Sequence, residues 1–163
     1  MKYSINTLFF CALFCSLFIL SCTQKDSNKK NETTNRGRQL DLVEEVTFLT
    51  PDGEAVSTVM VALADEPEER NQGLMDVNEM EADAGMLFIF PDEAPRSFYM
   101  ANTPLPLDII FVNADSTIVR IHHNTTPFNS EQLPSEKPAK FVVETNGGYC
   151  VSNDIQEGMR IRF

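Results

Sequence analysis

No GxSxG elbow, Walker glycine loop, GxGxxG fingerprint or HExxH helix spacing occurs in this 163-residue chain. Those absences remove the serine hydrolases, the phosphate-cradling nucleotide enzymes, the dinucleotide binders and the helical zinc proteases that such words announce. Cysteine is scarce. Of the four, Cys11, Cys15 and Cys22 lie at the start and only Cys150 lies in the body, so with Cys22 otherwise engaged no internal disulfide is expected. Basic side chains are scarce too: Leu40 to Phe163 has seven Lys or Arg against twenty-two Asp or Glu, a net −15. Such a surface repels phosphate backbones, which argues against nucleic acid as a partner and is otherwise a common way to stay soluble.

Long hydrophobic runs are missing outside the first twenty residues. There, "MKYSINTLFFCALFCSLFILSC" puts Lys2 before thirteen residues, Leu8 to Leu20, that are apolar but for Ser16. As a helix that run rises about 20 Å, short of the roughly 30 Å hydrocarbon core, so residues 1–21 read as an export signal, with an uncleaved anchor as the alternative. The residues Ile19-Leu20-Ser21-Cys22 resemble the bacterial lipobox, which implies that Cys22 is acylated and becomes the mature N-terminus. Two or three acyl chains, at about 0.8 kcal/mol per buried methylene, hold a protein on a bilayer where one does not. Thr23 to Gln39 contains no aliphatic or aromatic side chain, so residues 22–39 are expected to be a lipidated cysteine and a flexible tether. The expected address is the bacterial cell envelope, at the outer membrane, on its periplasmic face or at the cell surface.

Residues 40–163 suffice for one core and not for two typical domains. "VEEVTFL" and "AVSTVMVALA", separated by Pro51-Asp52-Gly53, predict a hairpin. "DEPEERNQGLM" predicts a short helix with Asp65 as N-cap, Pro67 in the first turn and Gly73 as the stop. "GMLFIF", ended by Pro91, and "SFYM" read as separate buried strands; "DIIFVNADSTIVRIHH" and "KFVVETNGGYCVS" read as two strands each, and "MRIRF" as a last one. The expected fold is mainly β: a compact antiparallel barrel or sandwich of eight or nine short strands with one short helix.

Metal chemistry has little to stand on. The adjacent His122 and His123 face opposite sides of a strand and cannot easily grip one ion. "DVNEMEADAG" fails as an EF-hand loop, with Met80 where a third oxygen is wanted and Glu81 where the glycine belongs. Met75, Met80, Met86 and Met100 sit in or near apolar runs, where methionine is ordinarily core filler. Cys150, between strand-like residues, reads as a buried thiol. No metal and no cofactor is indicated.

Five words occur in order: "RNQGLM", "DAGMLFIF", "SFYMANTPLPLDIIF", "PAKFVVETNGG" and "IQEGM". With this spacing, over about Val46 to Phe163, the chain resembles the domain-of-unknown-function family 192. The resemblance implies a compact, mainly β domain, often exported or membrane-tethered, with no established substrate, cofactor or catalytic residue. It also implies that the recurrent polar positions are Arg70, Asp83, Asn102, Thr103, Asp108 and Glu144. The chain departs from the pattern at Tyr99, where tryptophan is common, at Val77, where arginine is usual, and around "TTPF", which lacks the cysteines of many relatives.

Within "NTPLPLD" the two prolines fix φ and stiffen a connector that delivers Asp108 to the head of a buried strand. A carboxylate there must recover its hydration from a cation, with Arg70 the natural candidate, or from backbone N–H donors. Three readings remain. The domain is a non-catalytic module that binds an envelope protein, a glycan or a small molecule through a rim of Asn102, Thr103 and Asp108. Alternatively it is a small hydrolase with Asp108, Asp83 or His122 as base. In the third, these residues are scaffold only.

Overall fold

The computed structural model describes residues 37–163. The expected export signal, Cys22 and most of the tether lie outside the described residues. Seven strands and two helical turns follow in order: β1 (Glu44–Leu49), β2 (Ala55–Ala64), α1 (Pro67–Gln72), β3 (Ala84–Phe98), β4 (Leu107–Val112), β5 (Ile118–His122), β6 (Leu133–Asn146), α2 (Tyr149–Ser152) and β7 (Arg160–Arg162). They make one sheet in the order β5-β4-β6-β3-β2-β1-β7, antiparallel except where β2 lies parallel to β3. The sheet curls until its edges touch at one corner, where Thr117 bridges Arg160 and Ile118 N–H donates to the Met159 carbonyl at 2.8 Å.

The fold is therefore mainly β as expected, but a half-barrel of seven strands rather than a closed barrel or sandwich of eight or nine. Two misreadings account for the difference. Pro91 does not end a strand: "GMLFIF" and "SF" belong to the single β3, whose prolines fall at or between irregularities where no ladder N–H is needed. That long strand pairs with β6, whose first half, "LPSEKPAK", has no apolar alternation to announce it. The residues after Gly148 do not extend either. "YCVS" closes into a helical turn, a second helix where one was expected.

Both hairpins form, β1 with β2 and β4 with β5. α1 forms too, one residue later than its expected cap: Glu66 is the N-cap, its N–H donated to Glu69 Oε2 at 3.1 Å, and Gly73 ends the helix.

Apolar side chains cover both faces of the sheet. One face carries Phe48, Val61, Leu87, Ile110, Val112 and Val143, under Cys150 and Ile155; the other carries Met86, Phe88, Ile109, Phe111 and Val142, under Leu74, Val77 and Met100. β4 is buried at all six positions because it is covered on both sides, which is why its sequence is a nearly continuous apolar run. Asp108 is the exception in that run and is fully buried.

Candidate functional site

β2 and β3 run parallel, so the chain must cross the sheet between Ala64 and Ala84, and α1 lies in that crossover. Between the crossover and the sheet is a cavity of about 300 Å³, lined by Arg70, Gly73, Met75, Phe88, Phe98, Tyr99, Thr103 and Glu144 among others. Its walls are aromatic: Phe88 and Phe98 meet edge to face at 5.1 Å, and Phe98 meets Phe90 at 6.5 Å. Gly73 lets the roof come close, since a Cβ there would stand 3.2 Å from the Phe88 ring and the backbone φ is +48°.

Glu144 is the unusual member. It sits in the middle of the sheet, paired with Met86 on one side and Ile109 on the other, and keeps 5% of its surface exposed. Burial pushes its pKa from 4.5 to about 8, and no neighbouring charge or donor offsets that push. An acid there is mostly protonated at neutral pH, a neutral hydrogen-bonding group on the floor of an aromatic chamber.

Of the six polar positions singled out in the sequence, Arg70, Thr103 and Glu144 come together around this cavity. Asn102 stands just beside it, exposed, with its Nδ2 3.8 Å from Met75 Sδ. Arg70 hydrogen-bonds the carbonyls of Asp65 and, at 2.9 Å, Ile89, and its guanidinium lies 5.5 Å from the Phe90 ring centre, so it pins α1 to β3. Asp83 is exposed in the loop before β3.

Asp108 is elsewhere. It faces the side of the sheet opposite Glu144, because it pairs with Thr145 while Ile109 pairs with Glu144. The expected buckle of Asp108, Asn102 and Arg70 does not form. Three backbone amides take the place of the cation: Asn124 N–H and Gly148 N–H donate to Oδ1 at 2.7 and 3.0 Å, and Cys150 N–H donates to Oδ2 at 2.7 Å. Gly148 reaches its position with φ +89°, and Gly147 passes so close to Asn124 and Pro106 that a Cβ would stand 2.5 Å from Asn124 Oδ1. The double glycine thus shapes the nest that holds the carboxylate.

His122 turns to the cavity's side of the sheet, edge-on to Phe111 at 5.9 Å and bonded to the Pro134 carbonyl at 2.9 Å. Asp108 and His122 therefore share no reacting point, which removes the acid–base pair that a hydrolase built on them would need. Sequence reasoning missed one convergence: donor atoms of Asp108, His123 and Cys150 all lie within 4.8 Å of one another. The strand register could have found half of it, because Ile109 faces His122 and the next pair along is Asp108 and His123.

The curled sheet with a roofed chamber defines a small β-rich domain of a recurrent kind. The domain-of-unknown-function family 192, described as Uncharacterized ACR, matches residues 47–163, and the chain belongs to it. A crystal structure of a candidate transcription regulator from Sinorhizobium meliloti 1021 is similar, with 35% identity and a TM-score of 0.71 over 77% of this chain and 97% of that one. A protein of unknown function from Novosphingobium aromaticivorans DSM 12444 is similar at 28% identity and a TM-score of 0.70, over 81% of this chain and 98% of its own. No curated protein matches.

Proposed function

We propose that this domain is a non-catalytic binding module of the bacterial cell envelope that takes a small amphiphilic amine into the cavity beneath α1. One observation carries the reading: an acid that is 5% exposed and lacks a partner among the described residues is aimed into an aromatic cavity. Left in that state, Glu144 only lowers stability; a ligand that supplied a donor would recover the lost interaction. Phe88 and Phe98 suit an apolar body, and the −15 net charge of residues 40–163 draws cations toward the surface. The volume sits at the low end of the roughly 300 to 1,000 Å³ typical of small-molecule sites, which favours one small molecule over a glycan chain.

An ammonium group that reaches Glu144 displaces the carboxyl proton to solvent and leaves an ion pair. Binding therefore tightens as pH rises toward the Glu144 pKa of about 8, while the amine itself stays charged to about pH 10. In thermal-shift measurements n-butylamine is expected to raise the melting temperature more at pH 8.5 than at pH 6, n-butanol to do so much less, and Glu144→Gln to abolish the amine effect. Absence of any shift, or an equal shift in Glu144→Gln measured from its own baseline, overturns the assignment.

The envelope address rests on the leader and on Ile19 to Cys22. Mass spectrometry of the native product is expected to show a chain that begins at an acylated Cys22; an intact Met1 would contradict it. Regulation of transcription, raised by the description of the Sinorhizobium protein, is not carried over, because a domain this acidic is repelled by DNA at physiological salt.

A further inference from the structure

We propose that Asp108, His123 and Cys150 form a binding site for a thiophilic divalent cation such as zinc. Each comes from a different element: Asp108 from the head of β4, His123 from the residue after β5, Cys150 from α2. The β4–β5 register brings the first two opposite one another, and the Cys150 amide is bonded to the Asp108 carboxylate at 2.7 Å, which lays α2 over the pair. One carboxylate oxygen, one imidazole nitrogen and the thiol sulfur then lie within 4.8 Å of one another.

The donor set selects the ion. Calcium and magnesium want oxygen ligands, whereas sulfur, nitrogen and oxygen together suit zinc or cobalt(II) in tetrahedral geometry. Two of the ligands are pre-placed and buried, and the third is exposed, so the ion has an entry path and His123 can close on it. The three amides that hold Asp108 fix the orientation of its carboxylate, as outer hydrogen bonds do around built metal sites. An aqua ion arriving from solution sheds water to the three ligands, the Cys150 thiol proton leaves to solvent, and a fourth position stays open to water. Burial alone explains a small sulfur side chain in one buried cluster with Ile155 and Val143. The amide nest and the thiol account for the Asp108 carboxylate beside it, but not for the His123 imidazole that joins them.

Cobalt(II) is the probe, titrated into the full-length chain with Cys11, Cys15 and Cys22 replaced by serine, in detergent. The expected result is one equivalent bound, with a near-ultraviolet thiolate charge-transfer band and visible bands of a tetrahedral ion. Cys150→Ser is expected to abolish the bands, and His123→Ala, at an exposed position that leaves the fold intact, to weaken binding at least tenfold. Zinc is expected to displace the cobalt. A titration without the thiolate band, bands unchanged in His123→Ala, or equal binding by Cys150→Ser, the sign of adventitious capture by surface acids, each overturns the site.

Discussion

Glu144→Gln is expected to stabilise the protein at pH 8.5 by about 2 to 5 kcal/mol and to remove most of its stability loss between pH 5.5 and 8.5. The carboxyl holds its proton longer in the folded chain, where its pKa is about 8, than in the unfolded chain, where it is 4.5. Folding is thus favoured at low pH. As pH climbs, the unfolded chain ionises first and stability falls, until above about 8 both states are charged and the loss stops. Each unit between the two values is worth about 1.4 kcal/mol, which bounds the loss at about 5 kcal/mol. Glutamine fills the same space without a charge. Urea unfolding at pH 5.5, 7 and 8.5, all above the isoelectric point of about 4.5, reads the slope directly. Parallel pH profiles for the two proteins would mean that Glu144 is solvated in the folded state.

Asp108→Asn is expected to cost about 3 kcal/mol or more, and Asp108→Ala on the order of 5, enough to unfold a domain of ordinary stability. The reasoning is local. Three backbone N–H groups converge on the carboxylate, and a hydrogen bond to a charged acceptor contributes about 1.5 to 3 kcal/mol. Asparagine offers one acceptor oxygen and turns a donor toward at least one of those amides. Arg70→Ala serves as the contrast. Were Arg70 the counter-ion of Asp108, its removal would be as damaging as Asp108→Asn; tied instead to the carbonyls of Asp65 and Ile89, it is expected to cost about 1 to 2 kcal/mol. Chemical unfolding of the three variants separates the cases, and an Asp108→Asn protein within about 0.5 kcal/mol of the parent would refute the amide-nest account.

The hairpins and α1 were legible because their signals are local: a Pro-Asp-Gly turn, alternating β-branched residues, and a helix bounded by Pro67 and Gly73. What escaped is non-local. Nothing in "LPSEKPAK" shows that it pairs with the second half of β3, and nothing in Pro91 shows that the ladder continues past it. The polar positions were legible as residues and not as a site. Arg70, Thr103 and Glu144 are far apart in the chain, and only the sheet register puts Glu144 on the cavity side and Asp108 on the other. Pairing Arg70 with Asp108 was a reasonable guess from charge. It failed because the register turns Asp108 to the face opposite the cavity that Arg70 lines, where the amides of Asn124, Gly148 and Cys150 meet it instead.

The lone parallel pairing in the sheet has an evolutionary corollary. Two strands that run the same way cannot be joined by a tight turn, so any chain that adopts this ladder must throw a bridge of some length over one side. A vault under that bridge comes with the topology, before selection acts on its contents. Substitutions along the span, at Met75 for example, retune what the vault accepts while the pillars beneath stay fixed.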